Sequence, residues 1–416
     1  MRVPLACIGL REVDIIAAKK VLESGNLTMG SQVAKFERLM ADYLKVKYFI
    51  MVNSGSSANL AIFEALLRPS KGVPRLKNGD GVLVPAVAWP TTIWPIIQLG
   101  LRPVFVDVDP NSIALDLEKA QIEIDKDSRI KAIFPIHPLG YGLDGDDLDS
   151  FCSRNNLHQV NDVCESLGSW RGEKHAGTSG LAASFSFYFS HHITTMEGGG
   201  IATNDSEIAD DLRSIRSHGW SRDRSDLESW RVAPQDNLNF GGISGNDDKF
   251  QFITTGYNIR PMEIQAAIGV EQLKDLDNFV LRRRSGAISV RRKLEGSIFE
   301  VVDANTLSNP KGYASHSWML ICIKVLKKLN EREKSFIQES LKLADIETRP
   351  VLTGNFLNQQ AMLKFPEMPS GKLFPVAEEI SSNYFLVGAH HDLTDKQIAH
   401  LSHTLRSIAD QISLGL

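Results

Sequence analysis

The segment Asn53-Ser54-Gly55-Ser56-Ser57-Ala58-Asn59 sets a glycine and small hydroxyl residues between a short apolar run and a helical pattern. A junction of this kind can aim backbone N–H groups, helped by the positive end of the helix, at an anion such as a phosphate. The same residues serve equally as an ordinary helix N-cap, because serine is a favoured capping residue. A second junction, Asn161-Asp162-Val163-Cys164-Glu165-Ser166, places an acid at the end of another apolar strand. A carboxylate there is costly unless it is paired. Its partner is either a protonated ring nitrogen on a cofactor or, more plainly, a helix start or a cation. The densest chemistry lies between Ser184 and Gly200, where Ser186, Ser190, His191, His192, Thr194, Thr195 and Glu197 precede a run of three glycines and no lysine occurs. Histidine is the side chain best suited to move a proton near neutral pH.

The pattern around these residues alternates. Residues 11–24 and 32–44 are spaced as amphipathic helices, with Gly25 as a stop after the first. Residues 48–52 read as a strand, 57–67 as a helix, 82–85 as a strand, 91–99 as a helix and 103–106 as a strand; 130–136 and 159–161 continue the series. Short apolar runs separated by helices predict an α/β fold with a mainly parallel sheet covered on both faces. Function in such sheets gathers beyond the carboxyl ends of the strands, where the candidate residues fall. A helix then runs to His218, and residues 221–249, rich in Asp, Asn, Gly and Ser, read as a long surface excursion. Residues 259–276 and 278–294 read as helices, and a strand near 318–325 with helices near 331–343 and 395–408 makes a smaller α+β unit. At 416 residues the chain exceeds what one compact core serves, so a large unit over 1–275 and a C-terminal unit over 276–416 are expected.

Bulk properties exclude several classes. A net charge of −4 gives no reason to expect nucleic acid or an anionic membrane as a partner. The cluster Arg282, Arg283 and Arg284 reads as a solvated helix face. No apolar run approaches the roughly 20 residues of a membrane helix, and residues 1–6 lack the apolar core of a signal peptide. Cys7, Cys152, Cys164 and Cys322 are scattered without a CxxC pair, which favours free thiols in the cytoplasm and no metal site.

The stretch Ser184 to Gly200 also carries a family resemblance, and with it the whole chain resembles the sugar aminotransferase and dehydratase family of fold-type I pyridoxal phosphate enzymes. That family's pattern reads Ser-Phe, a catalytic lysine, then Ile-Thr-Thr-Gly-Glu-Gly-Gly; here His191 fills the lysine slot, two residues before Ile193. The histidine points to the 3-dehydratase branch, as do Thr28-Met29-Gly30, Val84-Pro85-Ala86-Val87-Ala88-Trp89, His218-Gly219-Trp220, Gly256-Tyr257-Asn258-Ile259-Arg260-Pro261 and the run from Arg349 to Phe356. The resemblance implies an aminotransferase-like large domain that binds pyridoxal or pyridoxamine phosphate. It assigns the phosphate to Gly55, Ser56 and Ser186, the ring face to Trp89 and the ring nitrogen to Asp162, with Glu165 close by. Asn258 would cross from a neighbouring subunit to the phosphate, making a homodimer with shared sites, and His218 would also approach. Met29 and Arg349 are candidate substrate contacts.

Lysine in this family both ties the cofactor covalently and shuttles a proton. Imidazole does only the second, so the cofactor would be held noncovalently and His191 would serve as the base. The implied reaction removes the C3 hydroxyl from a nucleotide-linked 4-keto-6-deoxy sugar, GDP being the nucleotide the resemblance points to, with glutamate restoring the amine form. Iron–sulfur relatives share the histidine but need clustered cysteines; residues 221–255 contain none and Cys164 stands alone, so no iron–sulfur cluster is expected. An ordinary aminotransferase would need lysine at 191. A non-catalytic relative would have no use for the phosphate loop, Asp162, Trp89 and His218. Of the other histidines, His192 is expected to be structural, His137 to make a strand-end hydrogen bond, and His390 and His391 to lie on the surface.

Overall fold

A computed structural model describes residues 1–6, 9–230, 251–303 and 316–415. The chain begins with α1 (Glu12–Ser24) and α2 (Ser31–Leu44), then alternates as β1 (Tyr48–Val52), α3 (Gly55–Leu67), β2 (Gly81–Pro85), α4 (Pro90–Gln98), β3 (Arg102–Val106) and α5 (Leu117–Lys126). It continues through β4 (Ile130–Ile133), α6 (Gly145–Asn155), β5 (His158–Asp162), a two-residue pair β6 (Trp170–Arg171) and β7 (Lys174–His175), then β8 (Ala182–Ser186), β9 (Gly199–Thr203) and α7 (Ser206–Ile215). The last part holds α8 (Glu263–Leu273), α9 (Leu276–Leu294), β10 (Phe299–Val301), β11 (Leu320–Val325), α10 (Glu331–Leu343), α11 (Pro375–Asn383), β12 (Tyr384–Gly388) and α12 (Asp395–Ser413).

Local chemistry explains most boundaries. Gly25 ends α1 in the left-handed conformation at φ 70°. Asp116, Asp144 and Asp205 each accept N–H bonds at the starts of α5, α6 and α7. Asn330 with Glu333, and Thr394 with Gln397, form reciprocal caps on α10 and α12. The expected helix from 259 begins only at Glu263, because Pro261 holds the preceding backbone extended.

Seven strands make one sheet in the order β1-β9-β8-β5-β4-β2-β3. β3, β2, β4, β5 and β8 pair in parallel, and β9 runs against both of its neighbours. Every residue of β2 and β9 is buried, which the helices on both faces require. Gly199 in β9 has a steric reason: a Cβ there would stand 2.3 Å from the Ser54 carbonyl carbon, so the strand passes directly beneath the turn that opens α3. A second sheet, β10-β11-β12, is antiparallel and buries Phe299, Ile321, Ile323 and Val387 against Ala287 and Val290 of α9 and Leu401 and Leu405 of α12. The two sheets meet through Met319, Leu320 and Leu386, which belong to the core of the large sheet.

Candidate active site

The carboxyl ends of β1, β5 and β8 bring Ser54, Asp162 and Ser186 to one place, beside the loops after β2 and β8. There a cavity of about 290 Å³ is lined by Gly55, Ser56, Trp89, Asp162, Glu165, Ser186, His191 and Arg349. Eight of the eleven residues singled out in the sequence are thus brought together. Met29, His218 and Asn258 do not line it. His218 and Asn258 are exposed neighbours, linked because the His218 N–H donates to the Tyr257 carbonyl at 2.8 Å and Ser217 bridges to Asn258. A larger groove, about 460 Å³ between α1, α2 and α8, holds none of the eleven.

At one end of the cavity α3 begins. Ser54 is its N-cap and accepts from the Ser57 N–H at 3.0 Å, while the first N–H groups of a helix have no partner within it. The N-cap and anion-cup readings are compatible: Ser54 caps, and Gly55 and Ser56 face the cavity. Ser186 stands close enough that a Cβ on Gly55 would lie 2.6 Å from its Cβ and 2.9 Å from the Cys164 sulfur. Only glycine lets the helix start and Ser186 approach this closely.

Asp162 is 4% exposed. Its Oδ2 accepts from Asn59 Nδ2 at 3.0 Å and Thr92 Oγ1 at 2.8 Å, and its Oδ1 from the Cys164 N–H at 3.1 Å. These three donors fix both carboxyl oxygens at the edge of the cavity, an arrangement that suits a cationic ring nitrogen beside them. Trp89, 47% exposed, offers its face at the rim, with the Arg349 guanidinium 5.9 Å from its centre. Glu165 accepts from the Leu139 N–H at 2.8 Å, and burial raises its carboxyl pKa while Arg349 opposes the rise. Burial also pushes the Cys164 thiol well up, which disfavours the thiolate at neutral pH. A flat pyridine bearing a phosphate fits this donor set.

His191 Nδ1 lies 2.6 Å from the Cys164 carbonyl oxygen. A carbonyl only accepts, so Nδ1 carries the proton and Nε2 is left with a lone pair. Burial lowers the imidazole pKa to about 4, against the pull of that hydrogen bond, and Arg283 and Arg349 add to the lowering. The loop holding it is tightly bonded: the Phe187 N–H donates to the Gly198 carbonyl, the Thr195 N–H to the Phe187 carbonyl, and Gln265 to the Glu197 carbonyl. Among the described residues that line the cavity there is no lysine.

Several sequence expectations are corrected. The arginine triplet is not a solvated face: Arg282 is exposed, but Arg283 is 1% exposed and Arg284 donates to the His316 carbonyl. His390 and His391 are not on the surface either; His390 is 6% exposed, the His391 ring stacks on Phe279 at 3.8 Å, and burial lowers both to about 4. The excursion after 221 is described only to residue 230, where buried Arg224 pairs with Asp211 and Asp226; residues 231–249 lie outside the described residues. His137 does bond Asn161 at the strand end, and His192 is buried against the Ser317 carbonyl. Sequence reading gave no role to Asn59 and Glu197, although both stand in motifs it singled out, and it passed over Thr92, three residues after Trp89, and Met319 in the cavity wall.

Residues 10–406 match the model of the DegT/DnrJ/EryC1/StrS aminotransferase family. The chain is 35% identical over 403 residues to the GDP-4-keto-6-deoxy-D-mannose 3-dehydratase of Yersinia pseudotuberculosis, covering 97% of this chain and 98% of that one. It is 36% identical over 406 residues to the enzyme of the same name from Escherichia coli O55:H7, covering 97% and 99%. A solved structure of GDP-4-keto-6-deoxymannose-3-dehydratase with a trapped PLP-glutamate geminal diamine superposes with a TM-score of 0.84 at 35% identity, covering 97% of this chain and all of that one.

Proposed function

The chain belongs to the DegT/DnrJ/EryC1/StrS aminotransferase family, and on that premise we propose that it is a pyridoxal phosphate-dependent 3-dehydratase of a GDP-linked 4-keto-6-deoxyhexose, serving deoxysugar and O-antigen synthesis. The observation that carries the reading is His191, a neutral imidazole with its Nε2 free, in a cavity without lysine. Pyridoxamine phosphate, when bound, supplies an amine for the sugar's ketone and a ring that accepts an electron pair.

The chain's residues supply the rest. Gly55 and Ser56 at the start of α3, with the Ser186 hydroxyl, bind the phosphate. Trp89 covers the ring face, and Asp162, fixed by Asn59 and Thr92, keeps a proton on the ring nitrogen. Nε2 of His191 takes up a proton and delivers it to the departing C3 hydroxyl. Arg349 holds an oxygen of the sugar or its diphosphate. Because His191 does not return a proton to the sugar's C4 as a lysine would, elimination prevails; water then replaces the nitrogen at C4, so that a 3-deoxy-4-keto sugar and ammonia leave, and glutamate restores the amine form. His218 and Asn258, exposed on this chain, complete the site of a second copy, and Met29 belongs to the sugar-nucleotide side. Residues 1–275 form the cofactor-holding unit and 276–416 the smaller one. No described helix is long and apolar enough to cross a membrane; a cytoplasmic location goes with the reading, since sugar nucleotides and free Cys152, Cys164 and Cys322 belong there.

The test is to incubate the protein with pyridoxamine phosphate, glutamate and GDP-, CDP-, UDP- or dTDP-linked 4-keto-6-deoxy sugars, measuring ammonia and sugar mass. Ammonia with a 3-deoxy product, greatest for GDP, is expected. An amino sugar as the main product, or no ammonia from any of the four, would falsify the proposal.

A further inference from the structure

On α9 the buried positions Leu276, Val280, Arg283, Ala287, Val290 and Leu294 recur at intervals of three and four, so Arg283 is a cation in an otherwise apolar buried row. Its guanidinium donates to three main-chain carbonyls: Trp318 at 3.2 Å and Met319 at 2.9 Å from one nitrogen, and His191 at 3.1 Å from the other. Met319 and His191 line the same cavity. Trp318, the residue before Met319, is 1% exposed and sits at φ 55°. A bulky residue in the left-handed region is strained and persists only where its surroundings over-determine it, and such strain gathers at functional sites. His192 adds a parallel link, its Nε2 donating to the Ser317 carbonyl at 3.2 Å.

The bond from Nδ1 of His191 to the Cys164 carbonyl fixes how the ring is turned, and the His191 N–H ties the backbone to the Tyr188 carbonyl of its own loop at 3.0 Å, but neither bond links it to the Met319 wall across the cavity. We propose that Arg283 is the positioning residue of His191: by joining the carbonyls of His191, Trp318 and Met319, it sets the base at a fixed distance from the Met319 wall of the cavity. The inference rests on the reading of His191 as the base. A planar fork with five donors spans three carbonyls in a way that the point charge of lysine does not, and a misplacement of about 1 Å at a reacting group costs about 10²-fold.

The test compares Arg283→Lys and Arg283→Gln holoenzymes with the parent. The kcat is expected to fall about tenfold to hundredfold in Arg283→Gln and less in Arg283→Lys. KM for the GDP-sugar and affinity for the cofactor should change by less than about threefold, since Gly55, Asp162 and Ser186 receive no bond from Arg283. Hydrogen exchange of the cofactor-free protein should quicken in peptides covering 187–196 and 317–320 and stay unchanged in the strands of the large sheet. In a His191→Asn background the Arg283 substitutions should change the residual rate by no more than about twofold, because two residues acting through one group are not additive. Full additivity in that background, an unaltered kcat, or the loss of folded protein in both variants makes Arg283 a residue of the fold alone and overturns the proposal. Parental turnover in His191→Asn by itself is a different failure: it removes the base assignment, and with it the proposed function.

Discussion

His191 has one nitrogen bonded to the Cys164 carbonyl and the other free, and burial keeps the ring neutral. The sign of the pH dependence follows. Its pKa is lowered from the ordinary 6.5 to about 4, so the basic form is present throughout the neutral range and is lost only as pH falls toward 4. The acid limb of kcat/KM should therefore lie below pH 6; a limb at 6.5 or higher in a profile from pH 4 to 8 contradicts the assignment. Gly55 gives a steric prediction. Gly55→Ala puts a methyl 2.6 Å from the Ser186 Cβ, so the helix start and Ser186 must separate. Affinity for pyridoxal phosphate should drop at least about tenfold in an absorbance titration, the equivalent of one or two lost charge-assisted hydrogen bonds. Gly55 and Asp162 were legible because each stands where a motif meets the end of a strand, and His191 because it fills the lysine slot of a family pattern. Arg283 was not, since a run of three arginines reads as solvated until the three-four spacing of Val280, Arg283 and Ala287 is traced along the helix.

Elements were legible where apolar residues cluster and obscure where composition hides them. The limits of β1 and α10 match their expected spans, whereas α5, α6, β8 and β9 were missed. The missed α6 buries only Leu148, Phe151 and Cys152 among polar neighbours, and β9 begins with two glycines. Nor does the sequence reveal how α2 is started, because the group responsible is distant. Glu263, 3% exposed at the head of α8, accepts from the N–H groups of Gly30, Gln32 and Val33, each at 2.8 Å. A carboxylate at a helix N-terminus is favoured both by these bonds and by the helix dipole. Glu263→Ala leaves three donors without this acceptor and should cost about 2–4 kcal/mol, seen as a lower denaturant midpoint with an unchanged slope. An unchanged midpoint means that water replaces the carboxylate at no cost.

At the scale of the whole molecule, the single chain gathers eight candidate residues into one cavity and leaves His218 and Asn258 exposed outside it. If Asn258 reaches the phosphate held by Gly55, Ser56 and Ser186 of a second copy, every site draws on two chains, and defects in different chains must complement. Ser186→Ala breaks the site of its own chain, while Asn258→Ala breaks the site of its partner. In a mixed dimer one site then carries both defects and the other carries neither. Equal amounts of the two variants, unfolded together and refolded, form mixed dimers in half of the pairings, so about a quarter of all sites should be intact. Each variant alone should be nearly inactive, and the refolded mixture should recover about a quarter of parental ammonia release. Sedimentation should show a dimer in every sample. A mixture no more active than the average of its two components means that Ser186 and Asn258 serve the same chain, and a monomer with full cofactor affinity means that Asn258 serves no site but its own.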